Sequence, residues 1–178
     1  MSEPIPISDP AADPLDNTRR YWNERLHGDP THFFAMASLM RLSRRVTRTI
    51  DSTLSGHALG RNAYLLLMTL ELSPNGSRIL GALARDLLVH PTTITLTIDR
   101  LEELGLVKKT PHESDRRAMR AQITEEGRTL ARKITGELAE VGFGFDGLSA
   151  SQTGKLNTTI TAARRVIGDF LQSRRRSS

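Results

Sequence analysis

The sequence predicts a mainly α (α+β) fold, with long helices toward both ends of the chain and a small β element between them. Three observations lead there. Residues 31–54 and 125–170 carry apolar side chains at steps of three and four over long runs, as a helix face requires. Between them, "RILGALARDLLV" and "PTTITLTIDRLEEL" read as two short helices split at His90-Pro91. Immediately after, "LVKKT" and "AMRAQIT" alternate like two strands around the polar turn "PHESDRR".

Composition narrows the class. The chain has 178 residues, enough for one domain with an appendage, and aromatic residues at only 4% leave the core to Leu, Ile, Val, Ala and Met. A formal charge of +5 favours a polyanionic partner. The absence of cysteine excludes thiol redox sensing, disulfides and thiolate metal sites. The five histidines show no metal-ligand spacing, so neither metal nor cofactor is expected. Residues 1–16 carry acids and four prolines where a signal peptide would be basic and then apolar. With no apolar run of membrane-spanning length, a cytoplasmic protein without a membrane partner is the expectation.

Each element follows from local chemistry. Residues 1–16 read as a disordered arm, and 17–26, with Trp22, as a short helix. After "HGDPT" a long helix starts near Thr31, with Leu39, Leu42, Val46, Ile50 and Leu54 on one face and Arg41, Arg44, Arg45 and Arg48 on another. Two glycines in "SGHALGR" end it. A second helix covers 62–72 and a third 78–89. Pro91 suits the first turn of a fourth helix, 91–104, for which Gly105 is the C-terminal cap. Strands at 106–110 and 118–124 follow. Thr124 with Glu125 and Glu126 opens a helix, whose seam is Leu130, Ile134, Leu138, Val141 and Phe145. Ser149 and Gln152 form a capping box for the last helix. There Leu156, Ile160, Ala163, Ile167 and Phe170 are spaced as in a coiled coil.

Two short helices and a hairpin in this order make a winged helix-turn-helix. A helix fits the major groove of B-DNA and reads base edges from its first turns. In 91–104, Ile94, Ile98 and Leu101 can face a core while Thr92, Thr93, Thr95 and Arg100 face outward. Threonines are poor helix formers, and they make sense here as base or phosphate contacts. The turn carries Arg116 and Arg117, flanked by Lys108, Lys109 and Arg120. It can reach the adjacent minor groove, with Asp115 holding an arginine in place.

These motifs resemble the MarR (multiple antibiotic resistance regulator) family of bacterial transcription factors. The likeness rests on "IDRLEELGLV", on Asp115 and Arg117 as an Asp-x-Arg wing signature, and on Thr124 and Gly127 as a Thr-x-x-Gly turn. It covers Leu83 to Gly127 by motif and about Thr31 to Phe170 by helix order. The resemblance implies a homodimer on a palindromic double-stranded DNA operator, acting as a repressor released by a small anionic or aromatic ligand. It implies dimerisation helices at 31–59 and 125–173, a DNA-binding domain at 60–124, a linker segment at 17–30 and a basic tail at 174–178. The terminal apolar seams need a partner independently of the likeness. Two residues depart from the family: Leu88 stands where many relatives have a turn glycine, and Leu96 where arginine or another polar residue is common. An exposed Leu96 could pack against thymine methyls or simply sit near the hairpin.

Met36, Met40, Arg44, Tyr64 and Met68 are candidates for a ligand pocket, although Met and Tyr at helical spacing also build ordinary cores. An enzyme is disfavoured because there is no Ser-His-Asp pattern, phosphate loop or metal motif, and no catalytic residue is expected. A non-specific architectural DNA binder would explain the arginines but would not need an ordered, threonine-bearing helix. The wing signature argues against a scaffold without DNA binding.

Overall fold

The structure, a computed structural model, describes residues 14–26, 28–111 and 119–168. The chain divides into two compact units, Met1–Thr47 and Arg48–Ser178, with the boundary inside a helix.

In the first unit, α1 (Pro14–Arg25) begins three residues earlier than the sequence analysis placed it. Proline at the first helical position has no N–H to waste and a φ already suited to helix, so residues 14–16, expected in the arm, are helical; residues 1–13 lie outside the described residues. The chain then enters α2 (Thr31–Ser55). Asp29 receives both the amide and the hydroxyl of Thr31, at 2.9 and 2.6 Å, and these bonds lower its pKa. Trp22 packs on Phe33 and Phe34 with ring centroids 4.9 and 6.2 Å away, and its indole N–H donates to the Gly28 carbonyl. The Arg19 guanidinium lies 4.3 Å over the Phe34 ring, a cation–π contact that closes this small core.

The second unit takes the C-terminal turns of α2, because Ile50 and Leu54 pack in its core. It continues through α3 (Arg61–Glu71), β1 (Ser77–Ile79), α4 (Leu80–Asp86), α5 (Pro91–Glu103), β2 (Val107–Pro111), β3 (Met119–Ile123), α6 (Glu125–Glu140) and α7 (Ala150–Val166). Leu66, Leu67 and Leu70 of α3 meet Leu83, Ile98, Leu101, Ile134 and Leu138 in one fully buried cluster. Burying each such side chain contributes about 1.5–3 kcal/mol.

The sheet is three-stranded and antiparallel in the order β1-β3-β2, where the sequence predicted only a hairpin. The expected helix 78–89 is really β1 followed by the seven-residue α4. Arg78 faces Ala121 across the ladder, so the backbone hydrogen bonds of "SRI" go to β3 and not into a helical turn. The apolar seam after Leu138 is also shorter than expected. Val141 caps α6, and Gly142–Gly144 forms a 3-10 turn. Ser149 and Gln152 make the predicted capping box on α7, no described residue of which is buried. Phe170, Leu171 and the basic tail lie outside the described residues.

One junction fixes the relative placement of α5, β3 and α6. Gly105 exits α5 with φ +73°, while the Leu106 and Gly105 amides close on the Leu101 and Glu102 carbonyls. This is a Schellman cap with glycine at its left-handed position. The Gly105 carbonyl then accepts the Thr124 hydroxyl at 2.8 Å, and the Leu106 carbonyl accepts the Thr124 amide at 3.1 Å. The Thr124 oxygen in turn accepts the Gly127 amide at 3.0 Å, capping α6. A Cβ on Gly127 would lie 2.2 Å from the Leu106 carbonyl oxygen, so α6 can approach this closely only through glycine. The Thr-x-x-Gly pair therefore has a packing reason.

A second link ties the same region to α3. Glu71, at the end of α3, receives Arg132 of α6 through Nε and Nη2 at 2.9 and 2.6 Å and also pairs with Arg128. Those hydrogen bonds, Arg132's foremost, lower the Glu71 pKa against the opposing cost of burial.

Two outcomes follow. Gly127→Ala should cost at least about 2 kcal/mol in denaturant unfolding, because a backbone carbonyl cannot yield as a side-chain tip can. Glu71, its pKa depressed in the fold, contributes stability that is full above its ordinary value of 4.5 and is lost as pH falls through the lower folded value. Thermal melts should show wild type ahead of Glu71→Gln near pH 7, with the gap closing below that range. A gap independent of pH would exclude the carboxylate as its source.

Candidate nucleic-acid interface

The helix-turn-helix is α4, a turn and α5. His90 caps α5 from an extended conformation (φ −63°, ψ 141°), its ring Nδ1 accepting the Thr92 amide at 3.3 Å, and Pro91 fills the first helical position. The histidine is thus a cap. Along α5 the division expected from the sequence is present: Ile94, Ile98 and Leu101 are buried, while Thr92, Thr95, Leu96 and Arg100 are exposed. Thr93 is half-buried. The Thr95 hydroxyl donates back to the Pro91 carbonyl at 3.2 Å, so its proton is already used within the helix. Arg100 pairs with Glu103 at 3.0 Å on the exposed surface.

The turn carries strain at Leu88. The Leu88 and Val89 amides bond to the Arg85 and Ala84 carbonyls, the same Schellman pattern that Gly105 makes at the end of α5. Here the left-handed position, φ +52°, holds a leucine that is 60% exposed. A Cβ in this region costs about 1–2 kcal/mol. Leu88 therefore holds a backbone conformation that glycine adopts without this cost.

The two lysines of β2 separate. Lys108 is exposed. Lys109 points the other way, and its ammonium sits 2.5 Å from Asp99 and 3.2 Å from Glu102, both on α5, while its amide donates to Glu102 at 2.8 Å. Asp99 first and then Glu102 raise the Lys109 pKa. The two lysines expected at phosphate thus differ in surroundings: alternation along a strand sends neighbours to opposite sides, and the side of Lys109 meets two carboxylates. The ladder ends with Pro111 opposite Met119. Asp115, Arg116 and Arg117 fall in 112–118, outside the described residues.

The ligand candidates are distributed over both units. Met36, Met40 and Arg44 are exposed on α2 in the first. Tyr64 is buried in the second, its hydroxyl 3.0 Å from that of Thr135, and the Met68 sulfur accepts the Thr135 hydroxyl at 3.2 Å. Both side chains therefore face α6. Nearby, His57 meets Glu137 at 2.6 Å. No local signal could have paired residues so far apart in sequence.

A helix-turn-helix with an outward polar face, followed by a hairpin on the same sheet, defines a winged helix DNA-binding protein. The MarR family model matches residues 59–119. The HTH-type transcriptional regulator PecS of Dickeya dadantii (strain 3937) is 30% identical over 132 residues, 70% of this chain and 76% of PecS. Sco5413, a MarR family transcriptional regulator of Streptomyces coelicolor, superposes with a TM-score of 0.72 at 30% identity, covering 80% of this chain and 99% of that one. Sco3205 of the same organism, solved in complex with DNA, gives 0.69 at 22% identity, over 82% of this chain and 91% of its own. CouR of Rhodococcus jostii RHA1, solved bound to p-coumaroyl-CoA, gives 0.61 at 27% identity, over 70% and 87%. The chain belongs to the MarR family of transcriptional regulators, and its relatives are regulators and not enzymes.

Leu88→Gly should raise stability by about 0.5–1 kcal/mol, the relieved strain exceeding the entropy glycine adds to the unfolded chain. A lower midpoint in urea would show that the leucine side chain supplies more than its backbone costs.

Proposed function

We propose that this protein is a repressor that holds a palindromic operator as a homodimer and leaves it when a small anionic or aromatic ligand binds. The observation that carries the DNA reading is the two-sided α5: a buried aliphatic stripe fixes the helix while Thr92, Thr93, Thr95, Leu96 and Arg100 are left to meet base edges or phosphates. Lys108, exposed on β2, takes a backbone phosphate. Asp115, Arg116 and Arg117 act at the adjacent minor groove, a role that rests on the Asp-x-Arg signature in the sequence.

Support for the homodimer is the apolar surface that each unit exposes. Met36, Leu39 and Met40 are about half exposed on α2, and Val166 and Ile167 at the end of α7 are 87% and 77% exposed. Two copies would place their α5 helices on half-sites about one helical turn, ~10 bp, apart. The ligand reading is supported by the likeness to CouR, solved bound to p-coumaroyl-CoA; its candidates are Met36, Met40 and Arg44 in the first unit, and Tyr64 and Met68 in the second. A cytoplasmic location accords with this role, and no helix among the described residues is long and apolar enough to cross a membrane.

Competition binding at fixed salt tests the reading. A regulator should prefer its selected sequence over bulk genomic DNA by about 10³-fold or more, whereas an architectural binder would show equal retention. In the same assay, Lys108→Ala should reduce the slope of log affinity against log salt by about one unit. Lys109→Met should change it clearly less, since Asp99 and Glu102 already hold that charge. Equal effects would return Lys109 to the phosphate backbone.

A further inference from the structure

We infer that α5 recognises its half-site through the C5-methyl groups of thymine, with Leu96 as the residue that sets this preference. The inference deepens the function proposed above and rests on it. The residues that a recognition helix brings nearest the bases are those of its first two turns. In this chain they are "PTTITLTI", 91–98, which contain no arginine, lysine, asparagine or glutamine. Bidentate reading of guanine needs Arg or Lys on O6 and N7, and that of adenine needs Asn or Gln on N6 and N7. Neither is available here.

What the surface offers is methyl groups. Leu96 is 65% exposed and lies one turn beyond Thr92, on the same side of the helix. Thr95 stands beside it, exposed and with its hydroxyl proton committed to the Pro91 carbonyl, so a methyl and an acceptor oxygen remain. The nearest guanidinium on the helix, Arg100, is a turn further on and pairs with Glu103 on the exposed surface. The Asp99 carboxylate, which would repel the phosphates on that side, is neutralised by Lys109. In the major groove, thymine alone of the four unmodified bases presents an apolar group. An isobutyl side chain between two threonines is its complement.

The test uses the full-length chain and the duplex recovered by repeated selection from random-sequence DNA. Each thymine of that duplex is replaced singly by uracil, which deletes only the methyl. At one or two positions per half-site, uracil should weaken binding about fourfold, the equivalent of one buried methyl. Leu96→Ala should weaken the thymine duplex at least as much and make the same uracils neutral. Leu96→Met, which keeps apolar reach, should restore the uracil sensitivity. Because Leu96 is exposed, the variants should melt with wild type, and a thermal scan verifies it. Uracil without effect at every position, or a uracil penalty undiminished in Leu96→Ala, overturns the inference. Loss confined to 7-deazaguanine substitutions also overturns it, in favour of guanine readout. A selection that yields no preferred sequence would instead sink the parent function, and the inference with it, whereas specific binding indifferent to uracil sinks the inference alone.

Discussion

The second unit depends on the meeting of two backbone carbonyls with Thr124 and Gly127. Gly105 and Leu106 end the exit from α5, and their carbonyls receive the hydroxyl and amide of Thr124, where β3 gives way to α6. Gly127 then lets the first turn of α6 lie against the Leu106 carbonyl at a distance no Cβ permits. Three elements, α5, β3 and α6, are held by a few polar contacts at one point. The outward face of α5 and the direction of the hairpin are both measured from it.

Around that point, charge is largely absorbed within the chain. Lys109 is taken up by Asp99 and Glu102, Arg132 and Arg128 by Glu71, and Arg100 by Glu103. α5 itself carries three acids against one arginine, so it is less cationic than the chain's formal charge of +5 implies. This separates two tasks in the proposed complex. Attraction to phosphate falls to the outer side of β2 and the loop beyond it, and discrimination falls to short-range contact along α5. Coulomb forces act over several ångströms with little regard for base identity, while methyl packing acts only at contact.

Strain is distributed unevenly over two copies of one motif. The exits of α4 and α5 close with the same pair of hydrogen bonds, yet one has glycine and the other Leu88 in the left-handed position. The turn of the helix-turn-helix is thus held in shape by its neighbours. Leu83, Ala84 and Ile94 are buried on either side, and His90 and Pro91 start the next helix at once.

Much of the frame was legible in the sequence because its signals are local. Pro91 after His90, Gly105 after the last apolar position, Thr124 before two glutamates and Ser149 three residues before Gln152 each act through neighbours within one turn. Periodicity likewise separated Ile94, Ile98 and Leu101 from the threonines. Tertiary structure alone decided the rest. Ser77–Ile79 is too short to show a period and becomes a strand because β3 offers it a ladder. Lys109 differs from Lys108 only in which side of the strand meets two carboxylates, and Tyr64 is drawn inward by Thr135, 71 positions away. A sequence records the preferences of a backbone over a few residues. Which distant group satisfies a given charge or hydroxyl is set only when the chain has closed on itself.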